Sequence, residues 1–465
     1  MLKREESEIV SEAADKYVDA LVSRAMVAQK VLQTWSEEAT DRLLLTLARQ
    51  VYLHAEELAM ATVQETGMGN VRDKTIKNRF ASMDIYRSLE GRVGKGCLAV
   101  DKRRRVMTLA SPVGVVFGLV PATHPTSTFI FKVLIALKGR NALILSPSRR
   151  AAGVSNQMGE LIQQVLREQG APPDLVQWID TKKGGSIASA LMAHPGVSFI
   201  LATGGPALVK AAYQSGTPAI GVGAGNAPVL VCVDADLNKA ASNIVRSKTF
   251  DNGLACCSEN NLVVVQSHLE AFNVALERHG AAVLSEEETH RLLAIIIDPD
   301  KNRLRSSIVG QPASAIASRS AIKRPYPIQV LVVPTHEVNE HNPLAYEKLA
   351  PILSLFSVVD EQAGMNVCEE LLALDGSGHT AIIYTHKSRL TREYGARMPV
   401  SRILVNTPGT QGGMGKVTGL QPSLTLGCGT FGGTSTTDNV TYTHLLNIKR
   451  VAYSLPSKGK EKIPC

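Results

Sequence analysis

The sequence predicts an α/β fold built on parallel sheets, and three observations carry the prediction. Between Val113 and Val233, short and uniformly apolar runs alternate with helical patterns. A second series of the same kind runs from Asp236 to about Leu426. Strands that are apolar throughout belong in sheets covered on both faces, and helices of roughly ten to fifteen residues between them supply the covers. Finally, 465 residues are enough for two or three domains with sizeable cores.

Taken in order, residues 8 to 90 read as helices. Apolar residues recur at helical spacing in LLLTLARQVYLHAEELAMATVQETGMG, and Gly67 and Gly69 mark the stop. CLAVDKRRRVMTLASPVGVV follows, with strand propensity, a charged centre and a proline, which predicts an exposed hairpin or edge strand. The first series then runs GVVFGLV, FIFKVLIALKG, NALILSP, the helical VSNQMGELIQQVLREQG, LVQWID, SIASALMAHPG and VSFILATGG. The second holds a helix at 237 to 249, the strand NLVVVQ, helices around 268 to 295, IQVLVV, ILSLFSVV, a helix at 361 to 374, TAIIYTH and SRILVN. A glycine-rich stretch, GLQPSLTLGCGTFGGTS, precedes the strand-like NVTYTHLLNIKRVAYSL, and the last ten residues read as a solvated tail.

Composition narrows the function. The formal charge is +8, with basic clusters at Lys102 to Arg105, at Arg149-Arg150 and at Lys458 to Lys462. No helix-turn-helix, zinc-finger or aromatic RNA-binding signature accompanies the charge, so nucleic acid is not the expected partner. Anionic cofactors and solvated lysines account for it. No run approaches 18 apolar residues and the acidic, amphipathic N-terminus is unlike a secretory signal, so neither membrane insertion nor export is expected. Seven cysteines, an odd number, point to a reducing compartment, and none has zinc-site spacing, so no metal is expected.

Four stretches can carry chemistry. ATGGPALV (202 to 209) follows a strand and opens a helix, leaving N–H groups and a helix dipole for an anion such as a cofactor pyrophosphate, or simply making a tight turn. GVGAGNAP (221 to 228) lacks a P-loop lysine; its small residues allow close approach to a cofactor or thiol substrate, or a sharp connection between domains. In PATHPTSTFIFK (121 to 132), His124 stands between two prolines at a strand end, where it can donate to a developing oxyanion or lie on the surface. FDNGLACCSEN (250 to 260) places adjacent thiols, Cys256 and Cys257, after a turn signal. A helix or turn N-terminus there would lower a thiol pKa. Neighbouring side chains point apart, so only one thiol can readily face a common substrate and the other is buried, the alternative being that both are simply small buried residues. A bond between adjacent cysteines closes a strained eight-membered ring, which disfavours a redox pair.

These stretches, together with ETGMG (65 to 69), SPVGV (111 to 115), the SP of SPSRR, EKLAP (347 to 351), GHT (378 to 380), RILVN (402 to 406), PSLTLGCG (422 to 429) and NVTYTHLLNIKR, resemble in order the CoA-acylating aldehyde dehydrogenases. That family includes the short-chain acylating enzymes and the aldehyde half of bifunctional alcohol/aldehyde dehydrogenases. The resemblance spans roughly residues 60 to 452. It implies a Rossmann-type cofactor domain (1–96 and 111–230), an α/β catalytic domain (231–430) and a β oligomerisation element (97–110 and 436–454). It makes Cys256 the nucleophile and His124 the oxyanion donor beside the Cys256 N–H. It also makes Thr203, Gly204 and Gly205 the pyrophosphate turn, Glu347 a ribose-hydroxyl ligand, and Ser146 to Arg149 the neighbourhood of the adenosine ribose. Gly223 falls with the cofactor contacts, and Thr123, Gly225 and His379 with the site lining.

The implied reaction joins a short-chain aldehyde, CoA and NAD or NADP through a thiohemiacetal and an acyl-thioester on Cys256. Hydrolytic relatives carry a water-activating glutamate, whereas Gly221 to Gly225 holds no carboxylate, which favours CoA over water. His124 stands where many relatives have asparagine, and Arg149-Arg150 are either 2′-phosphate ligands or surface arginines. A homodimer or homotetramer in a bacterial cytoplasm is implied, with packaging into a microcompartment left open. The competing expectations are an acylating enzyme for an anionic aldehyde (sulfoacetaldehyde or succinate semialdehyde), a hydrolytic dehydrogenase, and a basic binding protein without catalysis.

Overall fold

The computed structural model describes residues 2–180 and 185–455, so the expected tail at 456–465, with its basic cluster, lies outside the described residues. The chain divides into two compact units: Met1–Glu65, Thr75–Gly221 and Val440–Cys465 form the first, and Thr66–Lys74 with Val222–Asn439 the second.

The first unit opens on helices Leu2–Gln33, Glu37–Leu53 and Ala55–Thr66. Ser36 caps the second by accepting from the Ala39 N–H at 3.1 Å, and Leu43, Leu44, Leu47 and Val51 bury one face at helical spacing. Its main sheet has strands Val115–Val120 (β1), Ala142–Pro147 (β2), Val176–Trp178 (β3), Phe199–Ala202 (β4) and Ala219–Gly221 (β5), in spatial order β3-β2-β1-β4-β5. Every pairing is parallel. The strand order therefore reverses between β1 and β4, which is where open α/β sheets take their ligands. FIFKVLIALKG lies in the helix Pro125–Lys138, which is buried along its whole length and so shows no amphipathic stripe.

Strands Gly96–Asp101, Val106–Pro112 and Leu446–Ala452 form a separate antiparallel sheet, bulged at Cys97/Ala99. Residues 436–445 lie outside it, with Tyr442–Leu445 a short 3-10 turn, so of the expected 436–454 element only Leu446–Ala452 is strand.

The second unit holds a seven-stranded parallel sheet: Pro228–Val231 (β6), Asn261–Val265 (β7), Ala281–Val283 (β8), Val330–Pro334 (β9), Ile352–Val358 (β10), Gly378–Tyr384 (β11) and Val400–Val405 (β12). The order is β8-β9-β10-β7-β6-β11-β12. Val229, Val231, Leu262, Val264, Val332 and Leu353 share one core beneath the helices Leu237–Thr249 and Leu269–Arg278. The expected domain border at 230/231 falls instead at Gly221/Val222. Residues 66–74 also belong to the second unit, because the Gly69 N–H donates to the Gly310 carbonyl at 2.8 Å and the Asn70 N–H to Asp251 at 3.1 Å.

Candidate active site

In the second unit the residues around Cys256 come from loops entering parallel strands. Three consecutive residues before it, Asp251, Asn252 and Gly253, are left-handed, with φ of 50°, 55° and 75°. Asp and Asn tolerate that region better than other side chains and glycine adopts it freely, which is why the turn reads D-N-G. Gly253 must also lack a side chain, since a Cβ would lie 2.6 Å from the Ala350 carbonyl. The turn delivers Cys256, partly exposed, just ahead of β7.

Cys256 Sγ lies 3.1 Å from Nε2 of His379, the second residue of β11, and His379 Nδ1 lies 2.9 Å from the Thr380 hydroxyl. With the ring proton on Nδ1 directed at Thr380, Nε2 accepts from the Cys256 thiol. Gly225, before β6, is packed so closely that a Cβ would stand 1.8 Å from the Cys256 carbonyl oxygen. A Cβ at Gly223 would stand 3.4 Å from Cys428 Sγ. Gly225 thus serves close approach to the cysteine loop, whereas Gly223 makes ordinary contact with Cys428. Cys257 points the other way: it is buried, with Sγ 3.6 Å from the Thr410 carbonyl.

The electrostatics correct one expectation. No lowering of the Cys256 pKa results from the turn; burial first, then Cys257, Glu347 and Cys428, holds the thiol well above its usual range, with Arg402 opposing. Burial, aided by Arg402, pushes His379 down to about 3. The pair therefore rests at neutral pH as a thiol beside a neutral imidazole. A stability consequence follows for His379, which the unfolded chain protonates near 6.5 and the folded protein near 3. The unfolded state binds more protons between those values, so stability is full above pH 6.5 and is lost as pH falls toward 3. The expected loss is about 2 kcal/mol at pH 5, and His379→Asn should flatten this acid limb of the melting temperature against pH. An unchanged limb would show that the histidine titrates normally.

Glu347, ahead of β10, accepts from the Gly225 N–H, and burial followed by Asp375 raises its pKa to about 8. Its Oε1 has no partner among the described residues, an opening that suits a hydroxyl donor such as a ribose.

In the first unit the parallel register puts the ends of β1, β2 and β4 on one sheet edge, bringing Thr123 and His124, Ser146 and Arg149, and Thr203 to Gly205 to that edge. His124 precedes the helix Pro125–Lys138, and its Nδ1 accepts from the Lys77 ammonium at 2.7 Å, leaving the ring proton on Nε2. Gly205 caps the helix Pro206–Gln214; the Leu208 and Val209 N–H groups donate to its carbonyl at 3.0 and 3.2 Å, and among the described residues no side chain bonds to the positive end of the helix dipole. Thr203 Oγ1 is buried without a partner among the described residues. Both features fit a dinucleotide pyrophosphate at this turn.

Several groups escaped sequence reasoning. Lys132 donates from inside the fold to the Leu119 and Leu201 carbonyls, at the reversal between β1 and β4, and burial lowers its pKa to about 7. Glu259 Oε1 accepts from the Gly409 N–H at 2.6 Å, while burial raises its pKa to about 7. Arg402 bonds to Asn439 at 3.2 Å and to the Gly427 carbonyl. Each lies in or beside a quoted run, but a buried ion cannot be told from a surface one without the fold.

Comparison with known proteins identifies the family. A model described as the aldehyde dehydrogenase family matches residues 3–445. The chain belongs to that family. This aldehyde dehydrogenase chain is 41% identical over 452 residues to the bifunctional aldehyde-alcohol dehydrogenase AdhE of Escherichia coli K12, covering 96% of itself but 50% of that enzyme. It thus spans about half the length of that relative. An acetylating aldehyde dehydrogenase from Geobacillus thermoglucosidasius superposes with a TM-score of 0.92 at 40% identity, covering 97% of this chain and 99% of that one. A Rhodopseudomonas palustris propionaldehyde dehydrogenase, solved with bound CoA and an acylated cysteine, superposes at 0.85 with 26% identity, covering 94% and 97%. Among the described residues, no helix is long and apolar enough to cross a membrane.

Proposed function

We propose that this chain is a CoA-acylating aldehyde dehydrogenase, interconverting a short-chain aldehyde, CoA and NAD(P)+ with an acyl-CoA and NAD(P)H. The observation that carries the proposal is the Cys256–His379 pair at 3.1 Å, with a neutral imidazole facing the thiol. As Cys256 Sγ attacks the aldehyde carbon, its proton passes to His379 Nε2, giving a thiohemiacetal. The Cys256 N–H and His124 Nε2–H are the proposed donors to its oxyanion. When bound, the nicotinamide cofactor supplies a hydride acceptor; Thr203 to Gly205 would hold its pyrophosphate and Glu347 a ribose hydroxyl. Cys256 is then left carrying an acyl-thioester. Attack by the CoA thiol transfers the acyl group and returns Cys256 as a thiol. CoA is favoured over water because Gly221 to Gly225 carries no carboxylate, and at Gly225 the Cys256 backbone leaves no room for one.

The three-stranded antiparallel sheet is the proposed homo-oligomer contact, since it exposes Leu98 (37%) and Ile448 (40%). A reducing cytoplasm is the proposed setting, in which Cys256 stays a thiol.

The test follows NAD(P)H with acetaldehyde, propionaldehyde, succinate semialdehyde and sulfoacetaldehyde, each with and without CoA. The expected result is CoA-dependent reduction with at least one of them. The two anionic aldehydes decide whether an anion is preferred. Full rate without CoA would establish the hydrolytic reading. No NAD(P)H from any aldehyde, with tight and salt-sensitive nucleic-acid binding, would establish a binding protein.

A further inference from the structure

The end of β2 bears on which dinucleotide the first unit accepts. In a doubly wound sheet, the strand beside β1 ends near the adenosine ribose. A carboxylate there accepts the two ribose hydroxyls of NAD, whereas arginine pairs with the 2′-phosphate of NADP. Here β2 ends in Ser146-Pro147, and Ser148-Arg149-Arg150 follow, with no acid among them.

The turn is held in place. The Ser148 N–H donates to the Val120 carbonyl at the end of β1 at 3.0 Å, and Ala151 is buried at 0% exposure. Between these anchors Arg149 and Arg150 are exposed, and neither guanidinium has a hydrogen bond or ion pair to any described residue. One acid reaching this turn within the unit is Glu65, and it is already committed. Its two oxygens accept from Gly153 N–H at 2.8 Å and Val154 N–H at 2.7 Å, at the start of the helix Ala152–Glu168. Glu65 thus has its oxygens turned to the helix instead of to a ribose, and it fills the N–H groups an anion would otherwise use. Two arginine charges thus stand exposed at the turn while the Glu65 carboxylate is bonded to the helix.

We propose that Arg149 and Arg150 bind the 2′-phosphate of NADP and make this chain prefer NADP over NAD. The proposal rests on the dehydrogenase reading above and names the cofactor of that same site. Planar guanidiniums offer paired donors to phosphate oxygens, so two of them at a fixed turn discriminate by charge and by geometry.

The decisive measurement is direct binding by calorimetry of adenosine 2′,5′-bisphosphate and of 5′-AMP to the full chain. Wild type, Arg149→Ala, Arg150→Ala and the double variant are compared, together with the NADP-to-NAD ratio of kcat/KM. Wild type should bind the bisphosphate at least about tenfold tighter than AMP. That preference should weaken with salt, fall in each single variant and collapse in the double variant, with the NADP-to-NAD ratio following it. The double lysine variant, which keeps charge but loses the planar fork, should retain part of it. Equal or tighter AMP binding by wild type, or a preference that survives the double variant, would make these two arginines plain surface charge while leaving the dehydrogenase reading intact. Failure to bind either nucleotide, with no reduction of NAD or NADP, would remove that reading and this proposal together.

Discussion

Cys256→Ala should abolish acyl-CoA formation, by at least about 10⁴-fold in kcat/KM, whereas Cys257→Ala should keep a substantial part of the rate. The asymmetry is physical. Cys256 Sγ is partly exposed and faces an imidazole nitrogen; Cys257 Sγ is buried against the Thr410 carbonyl. A Cβ at Gly413 would lie 3.1 Å from Cys257 Sγ, so that thiol fills a closed space. Removing it should cost stability, on the order of 1 kcal/mol, and little chemistry. Iodoacetamide provides a second readout. Of the adjacent pair, the alkylated residue should be Cys256, and its alkylation should speed up with pH beyond the range of an ordinary thiol such as the exposed Cys97, because burial raises the Cys256 pKa. Equal losses of turnover in the two alanine variants would end the single-nucleophile account.

The choice between the two cysteines shows how far the sequence reaches. Backbone alternation said that one thiol faces a substrate, and the ordered motifs said which. Neither gave its charge state: the turn was expected to stabilise a thiolate, but burial outweighs the local field. Desolvation depends on what packs around a group, and those neighbours come from distant segments, His379 among them. For the same reason Gly225 could be read only as a small residue. That its Cβ position meets the Cys256 carbonyl is a fact of tertiary packing.

Elements whose burial is periodic or uniform were legible, as in Glu37–Leu53, β1 and Asn261–Val265. The three-residue strands Ala219–Gly221 and Ala281–Val283 were not, because so short a run has no period and is set by its neighbours in the sheet. The segment Thr66–Lys74 was counted with the helices preceding it, but its bonds to Gly310 and Asp251 assign it to the second unit. Chain proximity is a poor guide to domain membership where long-range hydrogen bonds decide it.

The largest stability effect should come from that same segment. Asp251→Ala should destabilise the fold by about 3–5 kcal/mol, the range for removing one partner of a buried ion pair. Lys74 Nζ lies 3.1 Å from Asp251 Oδ2, with the side chains 3% and 0% exposed. Asp251 also accepts from the Asn70 N–H at 3.1 Å, and its own N–H donates to Asp73 at 2.8 Å. These contacts hold two non-glycine residues in the left-handed region, where each would otherwise cost roughly 1–2 kcal/mol. Without them the D-N-G turn is expected to relax and shift Cys256 relative to His379, so activity should fall along with the urea midpoint. Pairing Asp251→Asn with Lys74→Met removes both charges and should recover part of the stability lost by Asp251→Ala, since no buried ammonium is left alone. A single Asp251→Ala within about 1 kcal/mol of wild type would mean that the pair contributes little, and the turn would then have to be held by the Asn252 side chain, whose Nδ2 donates to the Gly310 carbonyl at 2.8 Å.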